Sequence, residues 1–148
     1  MRYNPLIVNQ TVNAGRENIM LGNAPVMTSI PVVDFGRAVG FYRDTLGLNL
    51  VAAIEEMGVA LFEAGAGTRL FLYQRGPTTA DHTVASFVVE DVERTVRELR
   101  ARGVVFEQYD MPGLKTNAMG IAEFGPDKSA WFKDTEGNIL AVGTMSGS

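Results

Sequence analysis

Residues 30–48 read IPVVDFGRAVGFYRDTLGL, a short β-rich run followed by a helix whose two ends are marked. Asp34 can accept backbone N–H bonds as an N-cap, and Gly47 can adopt the left-handed conformation that ends a helix. Apolar and small side chains between them have the three-and-four spacing of one buried face: Ala38, Phe41, Tyr42 and Thr45. The stretch therefore predicts a strand at its start and a helix over residues 35–46.

Three apolar runs follow this helix, at residues 48–54, 58–63 and 68–74. They are separated by Glu55-Glu56 and by Gly65-Ala66-Gly67, which are typical of turns. The order predicted for the first half of the chain is therefore strand, helix, strand, strand, strand.

The same order returns roughly 57 positions later, which indicates an internal repeat. Residues 82–89 are again β-rich, Asp91 is a second N-cap, and Gly103 is a second helix stop. Further strands are predicted at 104–108, 130–133 and 138–142. We therefore predict an α+β fold in which two β-α-β-β-β modules form curled mixed sheets around a central cleft, with the helices outside.

The predicted domain covers residues 26–143, with module one at 26–75 and module two at 82–143. Residues 1–25, which contain five asparagines and one short apolar run, are predicted to be an N-terminal extension, and 144–148 a C-terminal tail. The whole chain has 148 residues and 46% hydrophobic residues, enough for one core.

Composition excludes several classes of function. The net charge of -4 argues against a nucleic-acid or anionic-membrane partner. The chain has no cysteine, which rules out disulfides, thiolate catalysis and cysteine-based zinc sites. With no signal-peptide pattern and no apolar run long enough to span a bilayer, we predict a cytoplasmic protein.

Two segments resemble the vicinal oxygen chelate superfamily, which includes glyoxalases, bleomycin resistance proteins and extradiol dioxygenases. The first is residues 30–48, which resembles the family's opening helix. The second is Phe132-Lys133-Asp134-Thr135-Glu136-Gly137-Asn138-Ile139-Leu140, which resembles its closing turn, with Thr135 in place of the usual proline. The resemblance implies paired modules, a dimer, and in many members a divalent metal held by His or Glu from the first and fourth strand of each module.

Carried over one at a time, those four ligand positions fall on Met27, Phe71, Val84 and Ala141. All four are apolar and offer a hard cation no suitable ligand. The single histidine, His82, lies two residues before Val84 and is a weak metal candidate, although a strand-entry residue bonded to its neighbours is the simpler interpretation. We therefore expect no metal and no cofactor.

Alternation along the strands predicts which side chains face the cleft. The cleft side should carry Met27, Ser29, Arg69, Phe71, Tyr73, Val84, Ser86 and Ala141. The helix side should carry Ile30, Val32, Ala85, Phe87, Leu140 and Val142. Phe71 and Tyr73 suit stacking on a flat ligand, and the alternative is that they close the core of a small barrel.

Other candidates lie in the second module. Residues 109–120 form a long loop that could cover a site, with Tyr109 and Lys115 able to meet a ligand, or simply to lie in solvent. One of Trp131 and Phe132 must face the cleft, and Trp131 is a candidate platform for a ligand. Glu123 is a weak candidate for a catalytic acid or base.

The leading hypothesis from the sequence is a metal-independent, glyoxalase/bleomycin-resistance-like homodimer that binds a small, aromatic or apolar molecule in its cleft. The ligand-binding residues would be Met27, Phe71, Tyr73, Val84, Trp131, Tyr109, Lys115 and Ala141. Two alternatives remain: a lyase or isomerase of the glyoxalase type, and a ligand-free dimeric interaction module.

Overall fold

The structure is a computed structural model that describes residues 21–79 and 81–146. Most of the predicted N-terminal extension, residues 1–20, lies outside the described residues. Ala80, between the two predicted modules, and residues 147–148 of the predicted tail lie outside them as well.

The first half of the domain forms one mixed four-stranded sheet with one helix. Its elements are β1 (Thr28–Val32), α1 (Phe35–Gly40), β2 (Asn49–Ile54), β3 (Val59–Glu63) and β4 (Arg69–Gln74). The strand order is β1-β4-β3-β2. β1 runs parallel to β4, and the other pairs are antiparallel.

The second half repeats this architecture. Its elements are β5 (Thr83–Val88), α2 (Val92–Ala101), β6 (Asp110–Met111), β7 (Leu114–Lys115), β8 (Ile121–Phe124), β9 (Asp127–Lys133) and β10 (Ile139–Gly143). β5 pairs in parallel with β10, and the sheet order β5-β10-β9-β8 matches that of the first sheet. The predicted pair of β-α-β-β-β modules is confirmed.

Both helices begin where the sequence predicts, and both helical segments end there once the π-helical turn after α1 is included. Asp34 Oδ1 accepts the Arg37 N–H at 3.1 Å, and Asp91 Oδ1 accepts the Arg94 N–H at 3.0 Å. Gly47 and Gly103 follow the helices with φ of 76° and 93°, values that favour glycine. After Gly40 the first helix widens into a π-helical turn, Phe41–Thr45. None of the helices in the described part of the chain is long and apolar enough to cross a membrane.

The prediction of a strand over residues 104–108 is wrong for most of its length. The chain touches β9 through one bridge, Phe106 to Phe132, and through the Glu107 N–H, which donates to the Trp131 carbonyl at 2.8 Å. It then leaves the sheet for the small β6-β7 hairpin and returns as β8. Asn117 directs the return, because its Oδ1 accepts the N–H groups of Met119 and Ile121.

One hydrophobic core joins the two modules on the helix side of the sheets. Its largest fully buried side chains include Tyr42, Phe62 and Phe132. The predicted helix-side residues are buried or packed against this core: Ile30, Val32, Ala85, Phe87, Leu140 and Val142. Arg102, after α2, donates to the Thr45 carbonyl at 2.9 Å, so both helices lie on the same side.

Residues 134–138, the closing turn between β9 and β10, fasten module two to module one. Glu136 Oε1 accepts the N–H groups of Val33 and Asp34 at 2.9 and 2.7 Å. Asn138 Nδ2 donates to the Pro31 carbonyl at 2.8 Å. The turn thus binds the end of β1 and the start of α1.

Candidate ligand-binding site

β1 and β5 are the edge strands of their sheets, and they contact each other. They belong to separate hydrogen-bonded sheets, so the line along which they meet, here called the seam, is held by side chains. Because both helices cover one side, the opposite side of the two sheets is a helix-free face that is continuous across the seam.

In module one, the helix-free face carries the predicted aromatic pair. Phe71 on β4 lies in register with Ser29 on β1 and Leu61 on β3, and residues in register point to the same face. Their neighbours Leu70 and Leu72 belong to the core, so Phe71 and Tyr73 must point the other way. Both rings are half-buried.

In module two, Trp131 is on the helix-free face and Phe132 is in the core. Trp131 lies in register with Ala141, which lies in register with Ser86. The Tyr109 ring meets Trp131 edge-on at 5.6 Å between centroids, and Phe124 does so at 6.4 Å. Burial, and secondarily the charge of Glu107, raises the pKa of Tyr109. Trp131, Tyr109 and Ala141 are therefore close together.

The remaining predicted residues are dispersed. Met27 is half-buried immediately before β1. Val84, predicted on the cleft side, instead packs against the helix-side core, because the pairing of β5 with β10 shifts register there and interrupts the alternation. Lys115 is exposed on β7 of the hairpin, and His82 is exposed immediately before β5.

The residues at the family's metal positions do not fit a divalent metal. Met27, Phe71, Val84 and Ala141 carry no carboxylate or imidazole. Among residues 21–79 and 81–146, no group of three or more His, Cys, Asp or Glu side chains is placed to hold an ion.

Glu123, the candidate acid or base, lies on the helix side of its sheet and not on the helix-free face. It lies in register with Lys128, whose Nζ is 4.0 Å from the Glu123 carboxylate and also pairs with Glu93 of α2. Because Glu93 belongs to the helix, this pair is on the helix side. The bulge-free antiparallel pairing of β8 with β9 sets that orientation, which the sequence alone did not fix.

A cavity of about 510 Å³ opens at one end of the seam. Most of its lining is apolar: Val26, Ala64, Gly65, Ala66, Leu70, Ala85, Phe87 and Val88. Four polar residues complete it: Thr28, Thr68, Arg69 and Ser86. Val26 and Val88 are 88% and 64% exposed, so the mouth presents apolar surface to water.

The duplicated fold explains why this cavity exists. The turn between β3 and β4, residues 64–68, occupies the place in module one that the closing turn occupies in module two. The closing turn, DTEGN, reaches the end of β1 with long polar side chains. Residues 64–68 read AGAGT, and their side chains are too short to fill the equivalent space beside β5. Ala66 also holds a left-handed φ of 58°, which costs a non-glycine residue about 1 kcal/mol or more.

Arg69 is a charged residue that the sequence predicts on the cleft side but that is not among the eight predicted ligand-binding residues. Its Nη2 lies 3.4 Å from Glu63 Oε2, on the neighbouring strand, and its side chain is 20% exposed. Its Nη1 is buried and has no hydrogen-bond partner among residues 21–79 and 81–146. The signal available in the sequence was its position two residues before Phe71 on the same face.

None of the eight predicted ligand-binding residues lines this cavity, although two of their neighbours on the helix-free face, Arg69 and Ser86, do. Alternation in the sequence located the helix-free face. It could not locate the cavity, because the cavity depends on how β1 and β5 meet.

Known proteins resemble this chain over most of its length. It is 29% identical over 129 residues to the uncharacterized protein YraH of Bacillus subtilis (strain 168), covering 77% of this chain and 92% of the relative. The crystal structure of TnmS3, an antibiotic binding protein from Streptomyces sp. CB03234, superimposes with a TM-score of 0.58 at 25% identity, covering 82% of this chain and 95% of that one. Lactoylglutathione lyase from Agrobacterium tumefaciens gives a TM-score of 0.59 at 21% identity over 82% of this chain and 93% of that one, a likeness of fold.

The family model described as Glyoxalase/Bleomycin resistance protein/Dioxygenase superfamily matches residues 24–142. That range covers both modules up to residue 142, including the closing turn, and the resemblance drawn from residues 30–48 and 132–140 is confirmed. The chain belongs to the Glyoxalase/Bleomycin resistance protein/Dioxygenase superfamily.

Proposed function

We propose that this protein binds a small, largely apolar molecule, without a metal, in the cavity at the seam. The observation that carries the proposal is a cavity of about 510 Å³ whose walls are mostly apolar and whose polar groups are few, the usual character of a small-molecule site. Binding would bury the exposed side chains of Val26 and Val88 at the mouth.

Two further observations support binding as the function. TnmS3, which is similar to this chain over nearly all of its own length, is described as an antibiotic binding protein. The metal positions of the family carry apolar side chains here, which suits contact with an apolar ligand. The aromatic residues of the helix-free face, Phe71, Tyr73 and Trp131, would extend the site for a ligand larger than the cavity, with Tyr109 and Ala141 beside Trp131. The predicted contacts of Met27, Val84 and Lys115 with the ligand stay predictions.

The proposal is tested by a thermal-shift series with fused-ring aromatic compounds, beginning with 2-naphthamide. A ligand at ten times its Kd should raise Tm by about 3 to 6 °C, because it stabilises the folded state alone. The shift should be the same with EDTA as without it. A shift that disappears with EDTA, or no shift with any compound of the series, would overturn the proposal.

A variant that fills the cavity, compared with a matched variant outside it, tests where the ligand binds. Ser86→Trp places a large side chain from the exposed face of β5 into the cavity and should abolish the shift. Thr83→Trp makes the same change at another exposed position of β5 that does not line the cavity, and should leave the shift intact. Loss of the Tm shift in both variants, or in neither, would contradict the location of the binding site in the seam cavity.

Homodimer formation and cytoplasmic localisation stay predictions. Light scattering after size-exclusion chromatography measures the first directly, and a mass of 16.0 kDa would show a monomer.

A further inference from the structure

Arg69 is the one charged residue among the described residues that line the seam cavity. It is the first residue of β4 and lies in register with Glu63 on β3. The contact of its Nη2 with Glu63 Oε2 is long, at 3.4 Å, and the Glu63 side chain is 41% exposed. This pair therefore holds the guanidinium weakly, because one long contact to a carboxylate that is partly in solvent contributes little.

The other end of the guanidinium is unsatisfied. Nη1 is buried and has no hydrogen-bond partner in the described chain. A buried donor on a charged group without a partner is costly, and native proteins rarely keep one without a reason. A rotation of the terminal torsions, which the loose pair with Glu63 permits, would turn Nη1 toward the cavity that Arg69 lines.

The other polar groups of the cavity are hydroxyls. Thr68 Oγ1 already donates to the Gly65 carbonyl at 2.6 Å, so it can only accept a further bond. Thr28 and Ser86 add hydroxyls from β1 and β5. No carboxylate lines the cavity among the described residues, so the like charge that an anion bound by Arg69 would meet is that of Glu63, which contacts the same guanidinium from outside the lining.

We infer that the ligand carries a carboxylate, bound by Arg69 in the wall of the cavity, on an otherwise apolar body. The inference rests on the proposed function and specifies its ligand class. The planar fork of arginine matches a carboxylate, and charge-assisted bonds of this kind are about twice as strong as neutral ones. The bound carboxylate supplies the acceptor that Nη1 lacks.

Calorimetric titration with 2-naphthoate and 2-naphthamide tests this, because the two probes share a ring system and differ in charge. The wild-type protein should bind 2-naphthoate about tenfold more tightly than 2-naphthamide. Arg69→Gln should remove the preference while leaving the Kd for 2-naphthamide within about twofold. Arg94→Gln, the same change at an exposed arginine of α2 that also pairs with a glutamate, should keep the preference.

Glu63→Gln provides a second variant that does not remove the arginine. It frees Arg69 from its competing carboxylate and should tighten 2-naphthoate binding by about three- to tenfold with no change for 2-naphthamide. Equal binding of the two probes by the wild-type protein, or a preference that survives Arg69→Gln, overturns the inference and leaves the proposed function standing. Failure of both probes to bind the wild-type protein overturns both proposals.

Discussion

Tyr42 and Asp134 form a buried pair that joins the modules. The Tyr42 hydroxyl donates to Asp134 Oδ2 at 2.7 Å, and the two residues are 0% and 6% exposed. Burial, followed by the charge of Asp134, raises the pKa of Tyr42, so the phenol is a donor at any ordinary pH. Asn138 Nδ2 donates to the same oxygen at 2.9 Å.

Removing this hydroxyl should destabilise the whole domain. Tyr42→Phe should lower the free energy of unfolding by about 1.5 to 3 kcal/mol, because it leaves a buried carboxylate with one partner fewer. Urea denaturation measures the change. Tyr73→Phe makes the same chemical change on the helix-free face and should cost under about 0.5 kcal/mol; equal losses in the two variants would contradict the assignment.

The sequence predicts which face of the sheet some residues occupy, but it does not predict contacts between distant residues. Alternation placed Phe71 and Arg69 on the cleft side because the strand period is fixed by backbone geometry. Nothing local links Tyr42 with Asp134, which are 92 positions apart, and the sequence treated Tyr42 as one more apolar position of a helix. Contacts of this kind depend on how the modules dock, so pattern alone does not reveal them.

At the scale of elements, the helix ends were predictable because their signals are local. Asp34 and Asp91 cap the two helices in the same way, and a glycine with positive φ follows each one. The β6-β7 hairpin was not predictable as such. The predicted strand 104–108 is β-rich by composition, and only its contact with β9 decides how much of it pairs.

The N-cap of α2 gives an element-scale prediction. Asp91→Ala should lower the free energy of unfolding by about 0.5 to 2 kcal/mol, because the Arg94 N–H loses its acceptor. Asp91→Asn keeps a capping oxygen and should cost only a few tenths of a kcal/mol, roughly. Chemical denaturation of both variants checks the cap, and an equal effect of the two would argue against it.

At the scale of the whole molecule, the closing turn couples the modules through a charged group. Burial tends to raise the pKa of Glu136, but Arg37, the N–H groups of Asp34 and Val33 and the Thr135 hydroxyl outweigh it and lower the pKa from 4.5 to about 2. The Glu136 side chain is fully covered, and Arg37 Nε donates to it at 2.8 Å. Its contribution is therefore linked to pH.

A carboxyl whose pKa is lowered by folding stabilises the protein above its unfolded pKa and ceases to do so as the pH falls through its folded pKa. Stability from Glu136 should be complete above about pH 5 and lost progressively toward pH 2. We expect about 1 to 2 kcal/mol after solvent screening through the half-exposed Arg37. Glu136→Gln should be less stable at pH 7 and should lose less on acidification, as measured by urea denaturation at pH 7, 5 and 3; an unchanged slope would disprove the linkage.

The bonds of the closing turn also predict how the protein behaves when the link between its two modules is cut. The link between the modules is exposed over residues 75–79 and 81–82, while the bonds from residues 134–138 to β1 and α1 do not use it. A protease site at residues 77–79 should therefore yield, after cleavage, two fragments that elute together and whose Tm rises with protein concentration. Fragments that separate under native conditions would show that the covalent link holds the two modules together. Fragments that stay together would mean that the contact between the modules is strong enough to act as an interface between two separate chains.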